Sequence, residues 1–295
     1  MHKKQIVVII AVVAIMGFLY TRDLVGVKKS GDADGHTNTT AEQKRPAVNV
    51  TVEMASAAAK IAIGPALAEQ INTTESLLKS AGDESAKLNL QKKLAQQWDD
   101  VNQPAPAAFY YQAIAQKENT FGDWVTAGNH FNDAFRFGQD TVAQPSYASN
   151  AIACFENASK MQPANLDAET GLGVAYVNQF TLGIGQSGGG PPKGVTLLLD
   201  VVGKDPNNIN ANFNLGMLAI TSRQYDKAVQ RFKTVIEHSA KPGFEPYFYL
   251  AESYRQLGLK PEAIAAYQKS RDLMPDTAID KKIDGYIKDL KDLKN

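Results

Sequence analysis

Residues 209–242 read INANFNLGMLAITSRQYDKAVQRFKTVIEHSAKP, and residues 244–277 read FEPYFYLAESYRQLGLKPEAIAAYQKSRDLMPDT. The two segments align at a displacement of 35 residues. The first carries Leu215-Gly216, Ala219, Ala228, Phe232 and Val235; the second carries Tyr247, Leu250-Ala251, Tyr254, Ala263, Tyr267 and Pro275. From the leucine to the later alanine the interval is thirteen residues in both, Leu215 to Ala228 and Leu250 to Ala263. Apolar residues three and four apart have the period of an amphipathic helix, so each segment predicts two helices. Small residues at Gly216, Ala251, Ala228 and Ala263 let those helices approach closely, while Phe232, Tyr254 and Tyr267 fill the space between successive pairs. Pro275, like Pro206 upstream, ends a second helix. Each pair leaves an apolar face bare until a neighbour covers it, which predicts a stack.

This pattern resembles the tetratricopeptide repeat, in which a large residue, Leu-Gly, Tyr, Ala, Phe and a closing Pro are spread over about 34 residues. The resemblance implies an all-α fold, a right-handed α-solenoid of antiparallel helix pairs. Upstream, Leu172-Gly173, Tyr176, Gly194, Leu198, Val201 and Pro206 form a repeat starting at Leu166, with one insertion between its helices that carries Gly183 to Pro192. Before it, Trp124, Ala127-Gly128, Phe131, Ala151, Phe155, Ala158 and Pro163 form another from Phe121, with extra residues near Phe137 to Ser149. Leu88, Leu94, Ala95 and Trp98, then Pro104, Ala107, Tyr111 and Ile114, read as a degenerate pair, and Met54 to Leu78 as an additional helical segment. At the other end Ile279, Ile283, Ile287 and Leu290 share one face of a polar-backed helix suited to closing a solenoid.

The N-terminus differs in kind. After Lys3 and Lys4 come fifteen uncharged residues, Ile6 to Tyr20, ending at Arg22-Asp23. As a helix the run spans about 22 Å, so Lys3, Lys4 and Arg22 would snorkel at the edges of a bilayer core about 30 Å thick. The length also suits a cleaved signal peptide; the lack of a small-x-small site after it favours an uncleaved anchor. The basic residues before the run favour an outside bulk domain, as in a bacterial cytoplasmic membrane protein facing the periplasm. The expected organisation is a basic tail over 1–5, a transmembrane signal anchor over 6–25 and a polar, flexible linker over 26–50. A helical segment over 51–119 follows, then four repeats over 120–277 (about 121–165, 166–208, 209–243 and 244–277), and a capping helix over 278–295.

Thirty-one Lys and Arg balance thirty-one Asp and Glu, leaving no net field for a polyanion and excluding nucleic acid as a partner. One cysteine, Cys154, forms no intramolecular disulfide, and His2, His36, His130 and His238 are too scattered for a zinc site. Gly183-Ile-Gly-Gln-Ser-Gly188 spells G-x-G-x-x-G, but that motif binds a dinucleotide only between a strand and a helix, and here it follows a helix. It reads as an inter-helix loop. Cys154, beside the packing Phe155, reads as a core residue, and His130 and His238 have no sequence-defined acid or nucleophile partner. Glu252 and Asp226 read as solvated surface charge. No enzyme, metal or small-molecule cofactor is expected.

In the family that the repeats resemble, partners lie against the first helices of the pairs. Carried over by alignment, the lining is Asp167, Thr170, Val174, Val177 and Asn178; then Asn210, Phe213, Met217, Ile220 and Thr221; then Glu245, Phe248, Glu252, Arg255 and Gln256. Asn210, Phe213, Met217, Ile220, Phe248, Glu252 and Arg255 form the candidate groove, with Phe213, Met217 and Phe248 either clamping apolar side chains of a protein or peptide or packing against the neighbouring repeat. Thr170, Val174, Phe213 and Met217, with Glu245 where a lysine would be wanted, depart from the Lys and Asn set that grips a terminal carboxylate in some family members. The expected function is a membrane-tethered scaffold; the alternatives are a periplasmic assembly chaperone and an enzyme accessory subunit.

Overall fold

The computed structural model describes residues 49–138, 140–184, 192–274 and 277–292, and the backbone alone at 277–280. The membrane-anchor and linker expectations, up to residue 48, lie outside the described residues, as does the side chain of Ile279. Among the described residues no helix is long and apolar enough to cross a membrane. Those residues form helices joined by turns, with no strand among them.

In chain order the helices are α1 (Val52–Ile63), α2 (Pro65–Ser80), α3 (Glu84–Asp100), α4 (Pro104–Glu118), α5 (Phe121–Phe137), α6 (Gln144–Met161), α7 (Leu166–Thr181), α8 (Lys193–Lys204), α9 (Ile209–Thr221), α10 (Tyr225–His238), α11 (Phe244–Gln256), α12 (Lys260–Asp272) and α13 (Thr277–Asp292). Their starts follow local chemistry. Thr120, Asn165 and Asn208 accept first-turn N–H groups that have no helical partner, and Pro65 and Pro104 stand where a missing N–H costs nothing. The segment Met54 to Leu78 is not one helix: Gly64, at φ 81°, and Pro65 break it into α1 and α2. α1 then leans on α2 and α4.

From α5 onward each helix packs on the next, and the pairs α5/α6, α7/α8, α9/α10 and α11/α12 stack in sequence. Three of the turns within pairs are the same object. Gly183, Arg223 and Gly258 all lie two residues past the first helix with φ of 75°, 59° and 74°. Each donates its N–H back to a carbonyl three residues earlier, and the following residue donates to one five earlier. The extra residues of the first pair lengthen α5 and α6 to 17 and 18 residues, against 13 and 14 in α9 and α10, and lengthen the connection between them.

The core runs along the stack in contiguous clusters. Phe131, Ala151, Cys154, Phe155 and Ala168 anchor the first; Leu198, Val201, Ala211 and Leu215 join α7 and α8 to α9; Phe232, Phe248, Tyr267, Ile283 and Ile287 tie α10 to α13. A smaller cluster around Leu94, Trp98 and Ile114 holds the N-terminal helices. Close approach is made by small residues: a Cβ on Gly194 would stand 2.4 Å from the carbonyl oxygen of Gly173, which fixes α8 directly against α7.

Candidate protein-binding groove

The first helices α9 and α11 carry most of the expected lining. Asn210 is exposed, and Phe213, Met217 and Ile220 are half-buried, resting on the core with part of each side chain free. Phe213 is one corner of an aromatic triangle: its ring centroid lies 5.8 Å from Phe232 of α10 and 5.9 Å from Tyr249 of α11, and those two stack at 5.7 Å. One repeat on, Phe248 forms the same figure with Tyr267 at 5.8 Å and Tyr286 of α13 at 6.5 Å, the last two stacked at 5.6 Å.

The triangles differ in what they expose. Phe248 is only 5% exposed, so it belongs to the core and does not line a surface. The reason is α13, which stands where a further first helix would and sets Tyr286 against it. Glu252 is likewise not a solvated carboxylate: it accepts hydrogen bonds from the Tyr267 hydroxyl and, at 2.6 Å, from Arg255. Upstream, Thr170 is buried, while Val174 and Val177 are half-buried against the cluster around Leu198 and continue the strip of α9 with smaller side chains.

What the sequence did not signal is Arg136, near the end of α5. Its guanidinium lies 5.2 Å from the ring centroid of Phe213 and 5.1 Å from that of its neighbour Phe137, and it donates to Glu245 at 3.4 Å. It thus reaches from the first repeat to the third and fourth, placing these side chains on one inner face. Burial pushes the Tyr249 hydroxyl up in pKa, with the nearby Arg136 pulling the other way. Asp133, one turn before Arg136, has its carboxyl raised by desolvation from the surrounding protein although its side chain reaches solvent, with His130 and Arg136 lowering it and Glu245 and Asp99 raising it. An ion pair this exposed contributes about 0–1 kcal/mol, and an exposed cation–π contact about 0.5–1 kcal/mol. Arg136 is therefore held lightly.

His130 does find an acid partner. Its Nε2 lies 2.9 Å from Asp99 and its Nδ1 2.8 Å from the Thr126 carbonyl, while the Tyr111 hydroxyl donates to Asp99 at 2.6 Å. Both ring nitrogens face acceptors, an arrangement suited to the imidazolium. Asp99, His130 and Asp133 border a cavity of about 560 Å³ shared with Val50, Met54 and Phe137. Cys154 is fully buried, and burial pushes its thiol up to about 12, which leaves it an unreactive core residue. Among the described residues no group of His, Cys, Asp and Glu could hold a metal ion. Residues 185–191 of the glycine-rich stretch lie outside the described residues; the stretch connects α7 to α8.

Residues 213–276 match the model of the tetratricopeptide repeat family. Among solved structures, a tetratricopeptide repeat protein from Parabacteroides merdae superposes with a TM-score of 0.53 at 10% identity, over 82% of this chain and 83% of its own. A thermophilic TPR protein in Thermus thermophilus does so with a TM-score of 0.51 at 15% identity, over 70% of this chain and all of its own. At such identities the likeness is one of fold. No curated protein matches the sequence.

Proposed function

Since the chain carries tetratricopeptide repeats and the solenoid fold built from them, we propose that it is a protein-binding scaffold tethered to a membrane by its first 25 residues. The observation that carries this reading is the inner strip of α9: half-buried Phe213, Met217 and Ile220 beside exposed Asn210. Apolar side chains that rest on a core yet keep one face free suit an extended segment or a helix laid along the groove. The tether rests on the uncharged run Ile6 to Tyr20 between Lys4 and Arg22. On this reading the bulk of the chain lies in the periplasm of a bacterium, and it brings partners together without catalysing a reaction.

The test is affinity purification of the tagged full-length protein from gently solubilised membranes, beside a Met217→Glu variant that leaves the aromatic triangle intact. The expected result is a defined partner in fixed stoichiometry with the wild type and its loss in the variant, with melting temperatures matched. A partner retained by the variant would move the contact off this strip. A shifting set of unfolded clients would replace the scaffold by the chaperone.

A further inference from the structure

The slot bounded by Phe213, Tyr249 and Glu245 is already filled, and what fills it is an arginine. The Arg136 side chain comes from a helix two repeats away, sets its guanidinium 5.2 Å from the Phe213 ring centroid and donates to Glu245. An aromatic face beside a carboxylate is the surface that a planar, weakly hydrated guanidinium fits best. Charge points the same way: Arg136 is ion-paired with Glu245 and lowers the pKa of Asp133, so two carboxylates share one cation. The pair is more than 30% exposed on both sides, and solvent therefore competes for it.

Resting on the scaffold reading, we propose that Arg136 is an internal stand-in for the ligand: the groove recognises an arginine on an extended segment of the partner, which displaces Arg136 and takes its place over Phe213 and against Glu245. The neighbouring Met217 and Ile220 then receive the apolar residues beside that arginine. Self-occupancy lowers the apparent affinity by the fraction of molecules in which the slot is filled, and removing the occupant restores it. From the strength of one exposed ion pair and two exposed cation–π contacts, the gain is about five- to a hundredfold.

The experiment is fluorescence polarisation with full-length protein and three short labelled peptides, identical but for a central Arg, Gln or Glu flanked by leucines. Arg136→Ala is expected to bind the arginine peptide about tenfold more tightly than the wild type and the glutamine peptide no more tightly than before. Adding Glu245→Gln to Arg136→Ala is expected to cancel the gain. Arg136→Gln, which keeps the stem of the side chain, separates loss of the charge from loss of packing and should give the same gain. Equal binding of the arginine and glutamine peptides by Arg136→Ala, or no gain from either variant, would overturn the assignment. So would tighter binding of the glutamate peptide by the wild type that Arg136→Ala abolishes, since the groove would then read an acid through Arg136. Any of these failures leaves the co-purification of a partner as a separate matter, decided by the membrane pull-down.

Discussion

Phe155 and Phe232 hold corresponding places on the second helices of their pairs, and their surroundings differ on one side only. Both meet a glycine of their own first helix: a Cβ would stand 2.7 Å from the Phe155 ring at Gly128 and 2.8 Å from the Phe232 ring at Gly216. On the side of the next repeat, Phe155 meets a second glycine, Gly171, where a Cβ would lie 2.2 Å away, whereas Phe232 meets the stacked ring of Tyr249. At Gly171 backbone meets ring, with Thr170 of α7 buried and Val174 half-buried. Ring against ring joins α11 to α10, and half-buried Phe213 stands at the rim of that aromatic contact. The regular 35-residue spacing thus goes with ring-on-ring contact between repeats, and the upstream interface with glycine against ring.

The largest effects should come from removing the two rings. Phe155→Ala and Phe232→Ala each should cost about 3–5 kcal/mol. Cys154, buried beside Phe155 with its thiol held at about 12, reports which part of the stack opens. In a solenoid each repeat is supported only by its neighbours, so Phe155→Ala should speed Cys154 alkylation in native buffer by more than about a hundredfold and Phe232→Ala by less than about tenfold. Equal acceleration would mean that the two regions open as one unit. Next in size, Gly171→Ala should destabilise by about 1–3 kcal/mol, because the ring it strikes is fully buried and backed by Gly128. Gly216→Ala should cost less, since Ala251 already stands at the matching position against Tyr267. Urea melts that reverse this order would break the contrast.

Legibility followed the same division. Over 209–272 the interval from Leu215 to Ala228 repeats from Leu250 to Ala263, so helix pairs, packing rings and small contact residues were all readable from spacing. Upstream, the extra residues were placed near 137–149, but spacing alone does not say that they lengthen α5 and α6 as well as the turn. The candidate groove was readable only as a strip on α9 and α11. Phe248 left it because α13 covers it: the capping helix is legible in the sequence, but that its Tyr286 lies against Phe248 has no counterpart in the repeat pattern. Arg136 and Tyr249 were missed for a related reason: Arg136 acts across two repeats, and 35 residues before Tyr249 stands Asn214, so neither has a periodic signal.

A smaller prediction sharpens the likeness between repeats. Arg223 occupies the left-handed turn that Gly183 and Gly258 fill in the flanking repeats, at φ 59°. A side chain there crowds the following carbonyl, so Arg223→Gly should stabilise by about 1 kcal/mol or less, after the greater freedom of glycine in the unfolded chain is offset. Thermal melts decide it, and a loss of stability would show that the Arg223 side chain makes a contact worth more than the strain.

The smallest effect separates the regions by pH. Burial opposes charge on His130, but the hydrogen bonds from its ring to Asp99 and the Thr126 carbonyl, with the charges of Asp99 and Asp133, outweigh it and raise its pKa above 6.5. The Tyr111 ring lies against the imidazole at 4.4 Å, closing the third side. A group whose pKa is raised on folding stabilises fully below its unfolded value and loses that stabilisation as pH rises through the folded value. Stability should therefore fall from pH 6.5 upward, by less than about 1 kcal/mol because Asp99 is partly solvated. His130→Gln should flatten this slope. The hydrogen bonds of this network tie α3, α4 and α5 together and reach nothing from α9 onward, so the pH dependence should appear in Cys154 alkylation and be absent from hydrogen exchange in α11 and α12. If exchange there followed the same titration, the lightly held Arg136 contact would be carrying the signal across the groove, and the two regions would be coupled through the slot instead of along the stack.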